Sequence, residues 1–281
     1  MRLLGVDVGG TFVKWWTSSG ERGKVFSKGL DLESLIGVVR DLVDRVDPDS
    51  WGLAVAGLVD KEGFVWKAPN LKVLEEVRVS DLLNPDVIIN DAAAAAYGEY
   101  RMGAGRGGRV VLMLTLGTGV GGGLVVDGRI FDGANGTGLE PGHMIVVPDG
   151  EPCNCGRRGC LEAYFSSYAI EREYRRISGE SLKMPEISKR YISGEERARR
   201  VVERSVEHLH LGVLNMVTVL NPDVLVLGGG LVGDIPDLVD RLSSMLERSL
   251  FASHRLAVRK AELGEFSGAC GACLLAASRT K

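Results

Sequence analysis

Two stretches far apart in this chain repeat one local design: an apolar strand, a tight glycine-threonine turn and a hairpin partner. The first reads Asp7-Val-Gly9-Gly10-Thr11-Phe-Val-Lys14. The second reads Leu116-Gly117-Thr118-Gly119-Val-Gly121-Gly122-Gly123. Turn glycines let backbone N–H groups approach phosphate oxygens, and a threonine hydroxyl can donate beside them, so both loops suit a nucleotide. Glycine-rich hairpin turns are common without ligands, but a matched pair predicts a duplicated α/β fold with a ligand between the halves. The second loop also fits Gly-x-Gly-x-x-Gly at Gly117, Gly119 and Gly122. A dinucleotide fingerprint must open a helix, however, and residues 124–126 read as a strand. Neither loop ends in Gly-Lys-Ser/Thr, which excludes a Walker A loop. A third cluster, Gly228, Gly229 and Gly230, follows a buried strand, where backbone can pass close to an adenine or its ribose. A plain strand-to-helix turn accounts for it equally well.

Residues 140–162 gather Glu140-Pro-Gly-His143, Cys153, Cys155, Cys160 and Glu162. Three sulfurs and one imidazole favour tetrahedral zinc, with Gly156 and Gly159 letting the backbone curl around the ion. Such a closed set leaves no position for a bound water, so the zinc is expected to be structural. Glu140 and Glu162 flank the ligands without being needed as ligands, and are expected to face something rich in hydroxyl groups. Five cysteines, three of them within eight residues, suit a metal site in a reducing compartment better than a disulfide framework. Cys270 and Cys273 lie in a run of small residues with helical character. They read as small buried hydrophobes rather than a redox pair.

Along the chain, strands are predicted at 3–7 and 12–17, a helix at 32–46, and strands at 53–56 and 87–90, the last running into an alanine-rich helix at 91–102. Residues 103–108 read as a linker. Strands follow at 110–116 and 123–126 around an Asp127-Gly128 turn, then a helix after Cys160, a charged segment over 175–196, and a long helix to 219. A strand at 224–227, a helix from 236, a strand at 256–258 and the small-residue helix close the chain. We place a smaller α/β lobe at 1–105, with the C-terminal helix 268–281 packing back onto it, and a larger lobe carrying the zinc loop at 106–267. The 281 residues, 45% hydrophobic and 25% charged, allow two such lobes. A net charge of −3 without a long Lys/Arg run argues against nucleic acid as a partner. No run approaches a membrane span, and the N-terminal apolar stretch is too brief for a secretory signal, so a soluble cytoplasmic protein is expected.

Asp91 stands at the carboxyl end of an apolar strand and the start of a helix, where it caps the helix or projects into a cleft. Beside phosphate loops, an Asp there is a candidate general base for a hydroxyl that attacks a γ-phosphate. Asp7 would then serve magnesium, directly or through water. His208 and His210 point to different faces of a helix and His254 stands alone; all three read as structural or surface residues.

Together these residues resemble the ROK family of sugar kinases. The likeness runs from Asp7-Val-Gly-Gly-Thr through Gly57, Ala68-Pro69-Asn70-Leu71 and Asn90-Asp91 to the terminal helix. Glu140-x-Gly-His143 and Cys-x-Cys-Gly-x-x-Gly-Cys-x-Glu are its specific part. It implies a two-lobed actin-like ATPase (ribonuclease H-like) α/β fold with the active site in the interlobe cleft. It also implies an ATP- and Mg2+-dependent kinase phosphorylating a hexose at its 6-hydroxyl, glucose first, with N-acetylmannosamine, fructose or another hexose as alternatives. By this resemblance Asn70, Asn90, Asp91, Glu140, His143 and Glu162 bind sugar hydroxyls, and Asp91 is the base. His143 would ligate zinc with one nitrogen and face the sugar with the other. The nucleotide and its magnesium fall to Asp7, Gly9, Gly10, Thr11, Lys14, Gly117, Thr118, Gly119, Gly228, Gly229 and Gly230. A homo-oligomer, dimer or tetramer, is implied as well. The chain departs from the family pattern at Ala93, where a second asparagine is common, and after Leu71, where glycine and tryptophan often follow. A sugar-responsive repressor or a silent sensor is the rival reading. The first strand begins almost at Met1, with no helix-turn-helix before it, and Asp91 is retained, which favours catalysis.

Overall fold

An apolar N-terminal run with no polar alternation can only be a strand covered on both faces. In the computed structural model, which describes residues 1–279, β1 (Leu3–Val8) is buried at every position. It turns through Gly9 and Gly10 into antiparallel β2 (Phe12–Thr17), which pairs onward with β3 (Arg22–Phe26). Helix α1 (Leu32–Val46) is started by Asp31, whose carboxylate accepts from the Ser34 N–H at 2.8 Å, and buries Leu35, Ile36, Val39 and Leu42. β4 (Ser50–Val55) runs parallel to β1. A small sheet of β5 (Leu58–Val59), β6 (Phe64–Lys67) and β7 (Val77–Arg78) and a short helix α2 (Val79–Leu83) lead to β8 (Val87–Asn90), parallel to β4. Helix α3 (Asp91–Met102) follows without a break.

The second half repeats this plan. β9 (Val110–Leu116), β10 (Val120–Val126) and β11 (Arg129–Ile130) come first. Helices α4 (Ser167–Ser178), α5 (Met184–Ile192) and α6 (Glu196–Leu220) precede β12 (Val224–Gly228), which pairs in parallel with β9. After α7 (Gly230–Asp234) and α8 (Leu238–Ser249), β13 (Ala257–Lys260) pairs in parallel with β12. Helix α9 (Ser267–Arg279) ends the described chain. The sheet orders, β3-β2-β1-β4-β8 and β11-β10-β9-β12-β13, are the same design used twice. The chain divides into two compact units. One holds Met1–Gly107, Gly123–Leu139 and the segment from Glu262; the other holds Gly108–Gly122 and Glu140–Ala261. The first therefore takes in Gly123–Leu139 from within the span read as the larger lobe.

The small residues of α9 have a steric reason. A Cβ at Gly5 of β1 would strike the Ala269 carbonyl, one at Gly52 of β4 the Ala272 carbonyl, and one at Gly271 the Ala94 carbonyl of α3. At Gly98 it would lie 2.5 Å from the Ser267 carbonyl. Helix α9 thus touches sheet and helix backbone to backbone. Cys270 and Cys273 are free, buried thiols in this seam, and burial pushes them up to about 11 and about 12. Of the helix expected at 268–281, positions 280 and 281 lie outside the described residues.

Some elements differ from expectation. The charged stretch 175–196 contains α5, which buries Met184 and Ile187 and was hidden by its short apolar pattern. Strands β3 and β5 to β7 were not anticipated: β3 alternates charge, β5 and β7 are two residues long and β6 only four, which leaves little signal. β10 begins at Val120, three residues early, since glycines can pair in a strand as well as turn. Among the described residues no helix is long and apolar enough to cross a membrane.

Gly271→Ala is expected to lower stability by about 3 kcal/mol, near the top of overpacking penalties, because the opposing atom is backbone. In Gly37→Ala the new Cβ meets nothing within 4 Å, and the change is expected to be neutral or stabilising by up to about 1 kcal/mol. Urea titration of both variants checks the pair.

Candidate functional site

The β1–β2 register places Asp7 opposite Lys14, whose Nζ lies 3.3 Å from the Asp7 carboxylate. Burial raises the Asp7 pKa, and the Lys14 charge offsets part of that rise. At Gly268, the second residue of α9, a Cβ would stand 2.9 Å from the same carboxylate, so glycine there keeps the space beside Asp7 open. The Gly9–Thr11 turn is closed by the Gly9 N–H donating to the Phe12 carbonyl at 3.1 Å. It rests on Asn70, where a Cβ at Gly10 would come within 2.5 Å of the Asn70 carbonyl. The structure therefore brings together Asp7, Gly9, Gly10, Thr11, Lys14 and Asn70.

Asn90 closes β8 and caps α3. Its Oδ1 accepts from the N–H groups of Ala92 (2.9 Å) and Ala93 (3.0 Å), while its Nδ2 donates to the Gly57 carbonyl at 3.0 Å. Asp91 is accordingly the first helical residue and not the cap. That corrects the capping alternative for Asp91: the asparagine satisfies the orphan donors of the helix end, leaving Asp91 half-buried at the carboxyl end of a parallel strand, where ligands of open α/β sheets bind.

In the second unit, residues 141–160 fold around the four metal-ligand candidates. A 3-10 turn at Pro141–His143 carries the histidine, and short bridges Ile145↔Cys160 and Pro152↔Arg158 close the loop. Gly156 and Gly159 have φ of 89° and 80°, the left-handed region that glycine allows. The donor atoms of His143, Cys153, Cys155 and Cys160 all lie within 4.8 Å of one another. Two of these separations, His143 Nδ1 to Cys153 Sγ and Cys155 Sγ to Cys160 Sγ, are 3.6 Å. Ligands about 2.0–2.3 Å from a tetrahedral ion stand roughly 3.5–3.8 Å apart, so this set fits zinc. Behind it, the Tyr164 hydroxyl accepts from the Glu151 N–H at 2.7 Å and its ring packs on His208 at 4.4 Å, which gives His208 a structural role.

The Gly117–Gly119 turn and the metal loop form one assembly. Glu162 accepts from the Val120 N–H at 3.1 Å, and a Cβ at Gly119 would lie 2.5 Å from that carboxylate. Both the backbone N–H (2.9 Å) and the hydroxyl (3.1 Å) of Ser167 donate to the Gly117 carbonyl. A Cβ at Gly142 would strike the Val120 carbonyl. These backbone partners were missed from sequence, where the only trace is glycine at positions 119 and 142. Thr118 is exposed at the tip of the turn. Glu140 is pushed up to about 7, first by burial and then by the Glu162 charge. Gly228, Gly229 and Gly230 end β12 and open α7, so the strand-to-helix reading holds for them. They also lie beside the end of β9: Gly228 is paired with Thr115, and a Cβ at Gly229, which has φ of 93°, would strike the Leu116 carbonyl.

A sequence profile of the ROK family matches residues 3–279. An N-acetyl-D-glucosamine kinase of Pectobacterium atrosepticum is 34% identical over 298 residues, covering 96% of this chain and 97% of the relative. A glucokinase of Thermotoga maritima is 32% identical over 263 residues, covering 82% of each chain. A ROK hexokinase structure from Thermus thermophilus superposes with a TM-score of 0.90 at 29% identity, covering 100% of this chain and 99% of the other. A ROK glucokinase from Streptomyces griseus, in complex with glucose and AMPPNP, gives 0.83 at 28% identity, covering 99% and 100%. The fold is the mixed α/β, actin-like ATPase type of these kinases. The chain belongs to the ROK family.

Two outcomes follow from this geometry. Purified protein is expected to carry stoichiometric zinc by mass spectrometry, and Cys155→Ser to lose most of it together with thermal stability; wild-type protein without zinc would refute the metal reading. Native Glu140 holds its proton up to about 7, whereas the unfolded chain releases it near 4.5. Stability is therefore lost as pH rises through that window. Glu140→Gln is expected to exceed wild type by roughly 1–3 kcal/mol at about pH 8 and to match it near pH 4. Parallel urea-midpoint profiles for the two proteins would contradict this.

Proposed function

We propose that the protein is an ATP-dependent hexose kinase that transfers the γ-phosphoryl group to the 6-hydroxyl of glucose, with Asp91 as general base. The observation that carries the reading is Asp91 itself: a half-buried carboxylate at the end of a parallel strand, on a helix whose cap is supplied by Asn90. In the reaction the substrate hydroxyl gives its proton to the Asp91 carboxylate as its oxygen attacks phosphorus in line with the departing ADP. Asn70, Asn90, Glu140, His143 and Glu162 bind sugar hydroxyls. Backbone N–H groups of the Gly9–Thr11 and Gly117–Gly119 turns bind phosphate oxygens, and Gly228, Gly229 and Gly230 give the nucleoside a close approach to backbone.

Asp7, buried beside Lys14, is the residue we assign to magnesium, which when bound neutralises charge on the phosphates. We assign zinc to His143, Cys153, Cys155 and Cys160 as a structural ion that holds Glu140 and Glu162 in place. The names of the relatives and the bound glucose and AMPPNP of the Streptomyces structure support a sugar acceptor and an adenine nucleotide donor. N-acetyl-D-glucosamine is the second acceptor we propose, because relatives of that name span nearly this whole chain.

Coupled measurement of ADP release across glucose, N-acetylglucosamine, N-acetylmannosamine, mannose and fructose tests the reading. One acceptor is expected to stand far above the rest, and silence on all of them would sink it. Asp91→Asn is expected to lose about 10²–10⁴-fold in kcat while calorimetry shows sugar binding retained; near-normal turnover would remove Asp91 as the base.

A further inference from the structure

Among the described residues, Glu99 of α3 is the charged side chain with no solvent exposure at all. A buried carboxylate is costly unless its oxygens are fully hydrogen-bonded. Here the partners are backbone. One oxygen accepts from the N–H groups of Ala104 (2.8 Å) and Glu262 (3.1 Å), the other from the N–H of Leu263 (2.8 Å). The Glu99 carbonyl also accepts from Gly103 (3.0 Å) and Gly105 (2.9 Å). The opening segment of the first unit ends at Gly107 and its closing segment begins at Glu262. A single residue thus grips the end of one segment and the start of the other.

Gly103 supports the assignment. Its φ of −121° lies outside the left-handed region that favours glycine. A Cβ there would strike the Glu99 carboxylate, so glycine at this position makes room for that carboxylate. Glu99 also lies eight residues after Asp91 on one uninterrupted helix, about 12 Å along its axis. That helix is held by the Asn90 cap at one end and by close packing of Gly98 on α9 near the other. Its position and those of both segments are therefore mechanically linked.

We infer that Glu99 is a positioning residue for phosphoryl transfer: it ties the segment leading into α9, whose Gly268 stands against the Asp7 carboxylate, to the helix that carries Asp91, and so sets these two carboxylates relative to one another. The inference rests on the kinase reading above. A carboxylate accepting from two separate segments gives this junction a defined geometry, which a neutral amide, with one acceptor oxygen and an NH2 turned toward N–H donors, cannot reproduce.

The test compares wild type, Glu99→Gln and Gly103→Ala, the last keeping the carboxylate but crowding it. Amide hydrogen exchange is followed at Ala104, Glu262 and Leu263, alongside kcat, KM and sugar affinity, all well below each protein's unfolding temperature. Exchange at those amides is expected to accelerate about tenfold or more in both variants. kcat is expected to fall about tenfold or more, with sugar affinity within about twofold of wild type. Unchanged exchange would overturn the latch itself. Faster exchange with kcat within about twofold of wild type would reduce Glu99 to a structural role and overturn the inference. If Glu99→Gln does not fold, Gly103→Ala decides; if neither folds, Glu99 is a stability residue and the inference falls. Wild type inactive on every sugar is a different result, which defeats the kinase reading first.

Discussion

The first unit depends on backbone-to-backbone contact between the C-terminal helix and the N-terminal strand. Gly5, Gly52, Gly98 and Gly271 remove every Cβ that would separate α9 from β1, β4 and α3. The gain is large dispersion contact at a distance side chains could not permit, and the consequence is positional. A Cβ at Gly268 would stand 2.9 Å from the Asp7 carboxylate and 3.5 Å from the Asp91 carbonyl. The residue assigned to magnesium and the residue assigned as base are thereby referenced to the same helix end, although they are far apart in sequence.

The second unit reaches comparable definition by another route. Its loop of some twenty residues has little apolar side chain to bury, and the zinc we assign to its sulfur and imidazole groups would supply the cross-link that a core would otherwise provide. Glu162 links that loop to the glycine turn through the Val120 N–H, so that any group holding the cysteines also holds the turn. The Glu162 charge in turn helps keep a proton on Glu140, and two neighbouring carboxyl groups come to differ in their readiness to donate or accept a hydrogen bond. Such a pair is well matched to sugar hydroxyls, which do both.

Much of this was legible in the sequence where one physical signal dominates. The β8–α3 junction follows from three apolar residues and an asparagine running into alanines, the bounds of α1 follow from its periodicity, and the gathering of the metal-ligand candidates follows from ligand chemistry and glycine spacing. What escaped depends on tertiary partners. α5 is a helix because Met184 and Ile187 find a core, not because nine residues would be helical alone. The duplicated loops announced repetition, but not that one is braced by Asn70 and the other by Glu162, since a glycine does not name the atom it makes room for.

Asn90 shows how a polar residue at such a site is constrained before any ligand arrives. Its oxygen is shared between two helix N–H groups, and one amide hydrogen goes to the Gly57 carbonyl, which leaves a second amide hydrogen for a substrate. In the proposed reaction Asn90 could therefore donate to a sugar oxygen but has little capacity to accept from it, which is consistent with assigning the reacting proton to the neighbouring carboxylate. Aspartate at position 90 would still cap the helix, but it would lose the Gly57 bond and place like charge beside Asp91. Asparagine at the cap and aspartate one residue later divide capping from the chemistry we propose, an order that leaves the carboxylate outside the capping bonds.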